Sequence, residues 1–411
     1  MQSMETESLT QVPGWRRPVA AASACAILGL LIEALAIAGA ALPPPVAMIG
    51  LGAGLVGASL LLSWAADAAE VEISGGLVLA GVTLVTVLPE LVVEIHFAYT
   101  QQTELVSANL TGATRLLLTG AVAMPVLGAW LLARRGQRAE AASYRLAPAR
   151  RVDLSILFVA SVYGILLALL GRVSLIDGLL LIGLYLFFLR RITGTPDEPP
   201  AVVGVSASLA ALPPGQRRRW LVGLFVFSAA VVSAVAVPFS DALQQTGTGL
   251  GISSYLLVQS IVPAATETPE YVVAMTLALS RRPGQGLAVF LGASVVQWTL
   301  ALGVLPWAFA AGGGGTELPL DTRATVELAL TVSTTLMAIA ALASLEPQRI
   351  DSGIVLTLFA IQFAFPSTGV RIVVAVVLAM FALDILVANH RSVRPMFAAL
   401  RSRHPPPHPP T

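Results

Sequence analysis

The stretch TETPEYVV, residues 266–273, places Glu267, Pro269 and Glu270 inside a long apolar segment. A carboxylate is costly in apolar surroundings, and a proline inside a helix removes one backbone hydrogen bond. Pro269 has no N–H to donate to the carbonyl of Ala265, so we expect a main-chain oxygen that lacks its helical partner. The acid and the proline together therefore indicate a site whose carboxylate and carbonyl oxygens need a ligand.

The composition places this stretch in a membrane. Of the 411 residues, 56% are hydrophobic and 11% are charged, and the mean hydropathy is +0.82. These values lie far outside the range of soluble domains. Apolar runs of about 20 residues are long enough to span a bilayer. Twelve such runs lie near residues 18–41, 46–66, 76–98, 106–133, 152–170, 174–190, 220–239, 252–279, 286–311, 324–344, 350–366 and 370–388. The sequence therefore predicts an all-α polytopic membrane protein with about twelve transmembrane helices.

The arginines predict the orientation. All 24 basic residues are arginine, and with a cytoplasmic N-terminus twenty of them fall on the cytoplasmic side. Three fall on the other side, and Arg115 lies within a span. By the positive-inside rule, this bias supports a multi-pass protein of the cell membrane with both termini in the cytoplasm. The predicted segments are a cytoplasmic N-terminus (1–17), a first transmembrane half (18–190), a cytoplasmic linker (191–219), a second transmembrane half (220–388) and a cytoplasmic proline-rich tail (389–411).

The two halves repeat at a fixed offset of 180 residues. Thr86, Pro89 and Glu90 align with Thr266, Pro269 and Glu270, and the match runs through the motif regions 85–114 and 265–294. Five spans separate equivalent points, and because five is odd, we predict two inverted five-helix repeats with peripheral helices. Inverted repeats with proline-interrupted helices at matching positions point to the central binding site of a transporter. Carbonyl, threonine and glutamate oxygens from both helices would suit a hard cation such as Ca²⁺ or Na⁺.

At these positions the chain resembles the calcium/cation exchanger superfamily, in particular the membrane region of sodium/calcium exchangers. The matching segments are VTVLPE (85–90), ATETPE (265–270), ANLTGAT (108–114) and AVFLGAS (288–294). The resemblance implies alternating access, in which Ca²⁺ competes with Na⁺ or H⁺ for one cluster of oxygens. It also implies metal-binding roles for Glu90 and Glu270, threonine ligands at Thr86 and Thr266, and an amide ligand at Asn109.

The chain departs from the family pattern in its polar residues. Val289 stands where the second copy of Asn109 is expected, and two further acids, Glu94 and Glu267, join the prolyl-glutamate pairs. Four carboxylates in a low-dielectric site cannot all be ionised without cations, which favours proton coupling over several sodium ions. Gln259 and Gln297 are weaker candidates, either as amide ligands or as ties between helices.

Two alternatives stay open beside a cation antiporter. Arg115 follows the amide position on the same helix and would pair with an acid, so it could plug the site of a degenerate exchanger whose transport is altered or lost. A transporter of small organic cations would keep the same fold. Enzyme chemistry is not expected, because the chain has no lysine for a Walker A loop and no HExxH motif. We expect inorganic cations and the lipid bilayer as partners, with no nucleic acid and no cofactor beyond the transported Ca²⁺, Na⁺ or H⁺.

Overall fold

A computed structural model describes residues 14–72, 87–134, 144–192, 202–280 and 282–400, and this part of the chain is almost entirely helical. The first helices are α1 (Arg16–Ile37), α2 (Pro44–Ala69), α3 (Leu88–Tyr99), α4 (Thr103–Arg134), α5 (Arg151–Leu170), α6 (Leu175–Ile192), α7 (Gly204–Ala210) and α8 (Pro214–Gly249). They are followed by α9 (Ser254–Thr266), α10 (Thr268–Leu279), α11 (Pro283–Val296), α12 (Leu302–Ala311), α13 (Thr322–Leu342), α14 (Arg349–Ala364), α15 (Thr368–Ala388) and α16 (His390–Ala399). A 3₁₀ turn (Pro148–Arg150) precedes α5, a π-helical segment (Gln297–Ala301) joins α11 to α12, and strand β1 (Arg172–Ser174) pairs antiparallel with β2 (Glu317–Pro319).

The predicted spans coincide with helices wherever the structure describes them. Within the described residues, eight helical segments are long and apolar enough to cross a membrane, namely α1, α2, α4, α5, α8, α11 with α12, α13 and α15. Helices α6 and α14 occupy the predicted spans near 174–190 and 350–366. Of the predicted span near 76–98, the structure describes the part from residue 87 onwards. The protein is therefore an all-helical, multi-pass membrane protein.

Helices α7 and α16 lie where the sequence predicts a linker and a tail. With 7 and 10 residues, both are too short to span a bilayer. Helix α7 is fixed to the end of α2, because the Ser206 hydroxyl donates a hydrogen bond to Asp67 Oδ2 at 3.1 Å. The predicted linker is thus partly helical, and so is the segment that follows α15.

The 180-residue offset of the sequence recurs in the helix boundaries. Helices α3 and α10 each have 12 residues and begin at Leu88 and Thr268. Helices α4 and α11 also begin 180 residues apart, and α2 and α8 end 180 residues apart. Equivalent residues therefore start and stop helices in both copies, so the repeat is a property of the backbone as well as of the sequence.

The two repeat prolines begin helices. Pro89 and Pro269 are the second residues of α3 and α10, where a missing N–H breaks no intrahelical hydrogen bond. A proline in each repeat is predicted to kink its helix, at Pro89 and at Pro269. In the second copy the structure has a break at Glu267 instead, whose φ and ψ are −86° and 0°. The predicted span 252–279 is consequently two half-helices, with an acidic residue at their junction.

The chain divides into two compact units, residues up to 89 with 198–242, and residues 90–197 with those from 243 onwards. In the first unit, α1 and α2 approach closely through small residues. A Cβ at Gly54 would lie 2.7 Å from the Gly29 Cα, and one at Gly57 would lie 2.5 Å from the Ala22 carbonyl oxygen. Such glycines let transmembrane backbones pack tightly, since lipid gives helices no hydrophobic reason to associate.

An ion cluster joins two chain segments of the first unit. Arg217 and Arg218 donate to the two carboxylate oxygens of Glu72 at 2.7 and 2.8 Å. The hydrogen bonds from Arg218 and Arg217 hold the pKa of Glu72 below its usual value. The twelve-span prediction places both segments on one side of the membrane, and this contact agrees with it.

Contacts between loops of the second unit also join segments that are predicted to lie on the same side of the membrane. The Leu146 N–H donates to the Leu345 carbonyl at 2.8 Å, and the Gln101 side-chain amide donates to the Phe309 carbonyl at 3.0 Å. Strand β1 pairs with β2, again between two segments predicted to share a side. Both members of each pair belong to segments that the sequence places on one side, and the sidedness itself stays a prediction that rests on the arginines.

We expect Gly54→Ala to lower the thermal stability of the purified protein. The added methyl group overlaps the Gly29 backbone, and such overpacking costs about 1–3 kcal/mol. The matched control is Gly223→Ala on α8, because a Cβ there meets no atom within 4 Å. That control should be neutral or up to about 1 kcal/mol more stable, owing to the better helix propensity of alanine. Equal melting temperatures for both variants would contradict the close packing of α1 and α2.

Candidate cation site

Four buried glutamates converge at the start of α3 and around the junction between α9 and α10. Glu90 and Glu270 occupy equivalent positions in the first turns of α3 and α10, where the helix dipole favours a carboxylate. Glu94 lies one turn further along α3, and Glu267 lies at the helix break. The side chain of Glu267 interacts electrostatically with the other three, and each of the four is at most 6% exposed. The structure thus brings together the four acids that the sequence proposes.

Threonine and amide side chains complete this cluster. Thr266, the last residue of α9, is buried, donates to the carbonyl four residues earlier at 3.1 Å and faces Glu90. The Asn109 Nδ2 atom on α4 donates to Glu94 Oε1 at 3.3 Å. Thr86, the other predicted ligand, lies outside the described residues. One carboxylate oxygen of the first repeat is therefore held by an amide.

Gln297 supplies the amide that the second repeat lacks at Val289. Its Nε2 donates to Glu267 Oε1 at 3.3 Å, and it begins the π-helical segment after α11. Such π-helical turns are common at functional sites because they rotate a side chain out of the regular helical pattern. The repeat does not indicate that Gln297 contacts Glu267, because Leu117 occupies the equivalent position of the first copy.

Buried oxygens without a hydrogen-bond donor concentrate in this cluster. Among the described residues they include both carboxylate oxygens of Glu90, Oε2 of Glu94, Oδ1 of Asn109 and Oε1 of Gln297. Nearly all buried polar atoms of proteins have partners, so five such oxygens in one place need an explanation. Carboxylate and amide oxygens are ligands that hard cations accept.

The cluster is not a preformed metal cage. No group of three histidine, cysteine or acidic side chains in the described residues has the spacing of a metal centre. A bound cation would need hydroxyl or main-chain oxygens as well, or a rotation of the glutamates.

A model of the sodium/calcium exchanger protein family matches residues 44–194 and 220–381, which make up most of the chain. The chain belongs to the sodium/calcium exchanger family. The members of this family are membrane cation exchangers, and they are not enzymes. The resemblance seen in the two repeats is therefore confirmed.

Solved structures share the exchanger fold. The crystal structure of the H⁺/Ca²⁺ exchanger CAX is 28% identical, covers 95% of this chain and 99% of its own, and has a TM-score of 0.86. Native YfkE (15% identical, 89% of this chain and 99% of its own, TM-score 0.59) and the sodium–calcium exchanger NCX_Mj (16%, 84% and 99%, TM-score 0.52) show the same fold. No protein of curated function matches the sequence significantly. The predicted fold of two inverted repeats is thus confirmed.

Arg115 of the exchanger pairs away from the four-glutamate cluster. Its Nη1 lies 2.7 Å from Glu327 Oε2 and donates to Gln362 Oε1 at 3.1 Å. Arg371 forms a second ion pair with the same glutamate, and all three charged side chains are buried. Arg115 therefore pairs with Glu327 instead of with the four-glutamate cluster, and the hypothesis that it plugs the cation site is wrong. Its acidic partner comes from α13, which the repeat motifs do not include.

Gln259 connects this ion network to the helices of the site. Arg371 donates to its Oε1 at 3.0 Å, and its Nε2 lies 3.5 Å from the Thr111 hydroxyl. The Gln259 carbonyl packs against Gly112, where a Cβ would lie 2.1 Å from that oxygen. Gln259 is thus a tie between α9 and α4, the second of the two roles proposed for it, and Gly112 is required by this close approach.

We expect Glu327→Gln to destabilise the exchanger strongly. The substitution leaves Arg115 and Arg371 buried without their shared anion, and breaking such a pair costs about 3–5 kcal/mol. The control is Glu317→Gln, which breaks the exposed pair with Arg172 and should cost less than about 1 kcal/mol. Thermal unfolding in detergent compares them. A similar small shift in both variants would show that the buried network does not stabilise the fold.

Proposed function

We propose that this exchanger is a secondary antiporter that exchanges Ca²⁺ for H⁺ by alternating access at the four-glutamate cluster. The observation that carries the proposal is the group of five buried carboxylate and amide oxygens without a donor. Ca²⁺ takes six to eight oxygen ligands in flexible geometry and accepts carboxylates, amides, carbonyls and water together. Glu90 and Glu270 are the central ligands, with Thr266, Asn109 and Gln297 beside them.

Charge balance favours protons as the coupling ion. An empty cluster of four carboxylates in a low-dielectric site carries charge that must be neutralised when Ca²⁺ leaves. Protons can do this on the same oxygens, whereas several Na⁺ ions would each need their own set of ligands. The similarity to an H⁺/Ca²⁺ exchanger over 95% of the chain points the same way. Na⁺ is the second candidate, supported by the family itself.

The break between α9 and α10 offers a way to expose the four-glutamate cluster to one side of the membrane at a time. Helices α9 and α10 are separate helices that meet at Glu267, and Pro269 has no N–H for the carbonyl of Ala265, so one half can tilt against the other. Discontinuous helices typically form the substrate and ion sites of inverted-repeat transporters, and one repeat moves against the other around that site. In the proposed topology both termini face the cytoplasm, and the α3 and α10 helices reach the site from opposite sides.

We expect reconstituted vesicles to show radiolabelled Ca²⁺ flux when a pH gradient is imposed and none when a sodium gradient is imposed alone. Glu90→Gln and Glu270→Gln should each lower the flux on the order of 100-fold, because each removes a charged ligand. The control is Glu104→Gln, an exposed acid in the first turn of α4. Flux driven by sodium alone would reassign the coupling ion. Unchanged flux in Glu90→Gln and Glu270→Gln would refute the site.

We also expect Gln297→Leu to weaken the apparent Ca²⁺ affinity by about 10–100-fold, since Glu267 loses the amide that orients it. Thr299→Val is the matched control, because it changes the same π-helical segment while its hydroxyl donates to the Val295 carbonyl and not to the cluster. Flux measured against Ca²⁺ concentration gives both affinities. Equal affinities would show that Gln297 acts through packing alone.

A further inference from the structure

The short helix α16 folds back against the beginning of α5. The rings of Phe397 and Phe158 meet edge to face at 5.2 Å, and the Ser155 hydroxyl donates to the Met396 carbonyl at 2.7 Å. Phe158 lies seven residues into α5, about 10 Å along that helix. Helix α16 therefore lies near the level at which transmembrane helices enter the bilayer, with its apolar face turned inward. This is the position of an interfacial amphipathic helix.

A groove of ≈ 1000 Å³ opens between α5, α15 and α16. Its lining is mostly apolar and includes Phe158, Leu386, Val387, Val393, Met396 and Phe397. Arg394 and His390 also line it. The groove thus combines an apolar floor with the guanidinium of Arg394 and the imidazole of His390.

The cationic side chains beside the groove are available for a ligand. Arg391 and Arg394 are exposed, and neither forms an ion pair with an acid in the described part of the chain. A guanidinium presents several N–H donors in one plane, which match the oxygens of a phosphate. Arg394 lines the groove, and Arg391 lies three residues earlier on α16, on the same side of the helix. An apolar groove at the membrane surface beside these two groups fits an amphiphile that carries a negative head group.

We propose that this groove binds an anionic phospholipid. One acyl chain lies against Phe158 and Val393, and the phosphate lies between Arg391 and Arg394. A soluble anion would make no use of the apolar lining, and a lipid without net charge would gain less from the two arginines. The bound lipid fastens α16 to α5 and α15, at a site separate from the four-glutamate cluster.

The test uses the full-length protein, delipidated in detergent and titrated with phosphatidylglycerol or with phosphatidylcholine of the same acyl chains. Native mass spectrometry counts the bound lipids. We expect phosphatidylglycerol to bind more tightly. Combining Arg391→Gln with Arg394→Gln should weaken its binding on the order of 25-fold, about fivefold for each arginine. Val393→Trp fills the groove, keeps both arginines, and should also weaken binding.

The control combines Arg282→Gln with Arg349→Gln, which removes the same charge from two exposed positions elsewhere on the predicted cytoplasmic side. Equal loss in this control would overturn the proposal in favour of a general charge effect. Unchanged binding after the loss of Arg391 and Arg394, or equal binding of the two lipids, would overturn the head-group site. Unchanged binding in Val393→Trp would overturn the acyl-chain groove. Leu386→Trp fills the groove from α15 if Val393→Trp does not fold.

Discussion

The burial of four carboxylates at one point of a largely uncharged protein is the constraint on which the rest of the structure depends. An acid inside a membrane protein is costly unless something offsets its charge. Here Glu90 and Glu270 lie in first turns, where the helix dipole is favourable, and amides hold one oxygen each of Glu94 and Glu267. These devices lower the cost without supplying a permanent cation. In the proposed site, both oxygens of Glu90 and Oε2 of Glu94, which have no donor, are left for the transported ions.

The exchanger keeps its fixed positive charges in a separate network. If an arginine lay among the four acids, it would permanently neutralise one of them and compete with any transported cation. Arg115 and Arg371 instead share Glu327, and Gln259 links this network to α9 and α4. Two kinds of buried charge thus serve two purposes within one unit. Buried ion pairs connect the helices, and the four-glutamate cluster forms the proposed site.

The spans and the repeated prolines and glutamates are predictable from the sequence, because hydropathy is a local signal and the repeat has a fixed offset. Hydropathy located the spans, and the 180-residue offset located the prolines and glutamates and matches the observed helix boundaries. The sequence names Gln297 as a weaker candidate without its partner Glu267, and it does not name Glu327, because both residues lie outside the repeated motifs and reach their positions through packing between distant helices. Hydropathy does not predict helix α16, because its apolar residues cover only one face of a 10-residue segment and do not form a long apolar run.

The two repeats agree in backbone and differ in side chains, and this difference bears on the proposed alternating access. Inverted halves with identical side chains would give inward-open and outward-open states of equal energy and equal ion affinity. In this exchanger the extra acid follows the prolyl-glutamate pair in one half, as Glu94, and precedes it in the other, as Glu267. Their amides come from a regular helix and from a π-helical turn. A ligand shifts a conformational equilibrium only by its difference in affinity for the two states. Unequal oxygen sets in the two halves provide such a difference, so the populations of the two states can depend on which ion is bound.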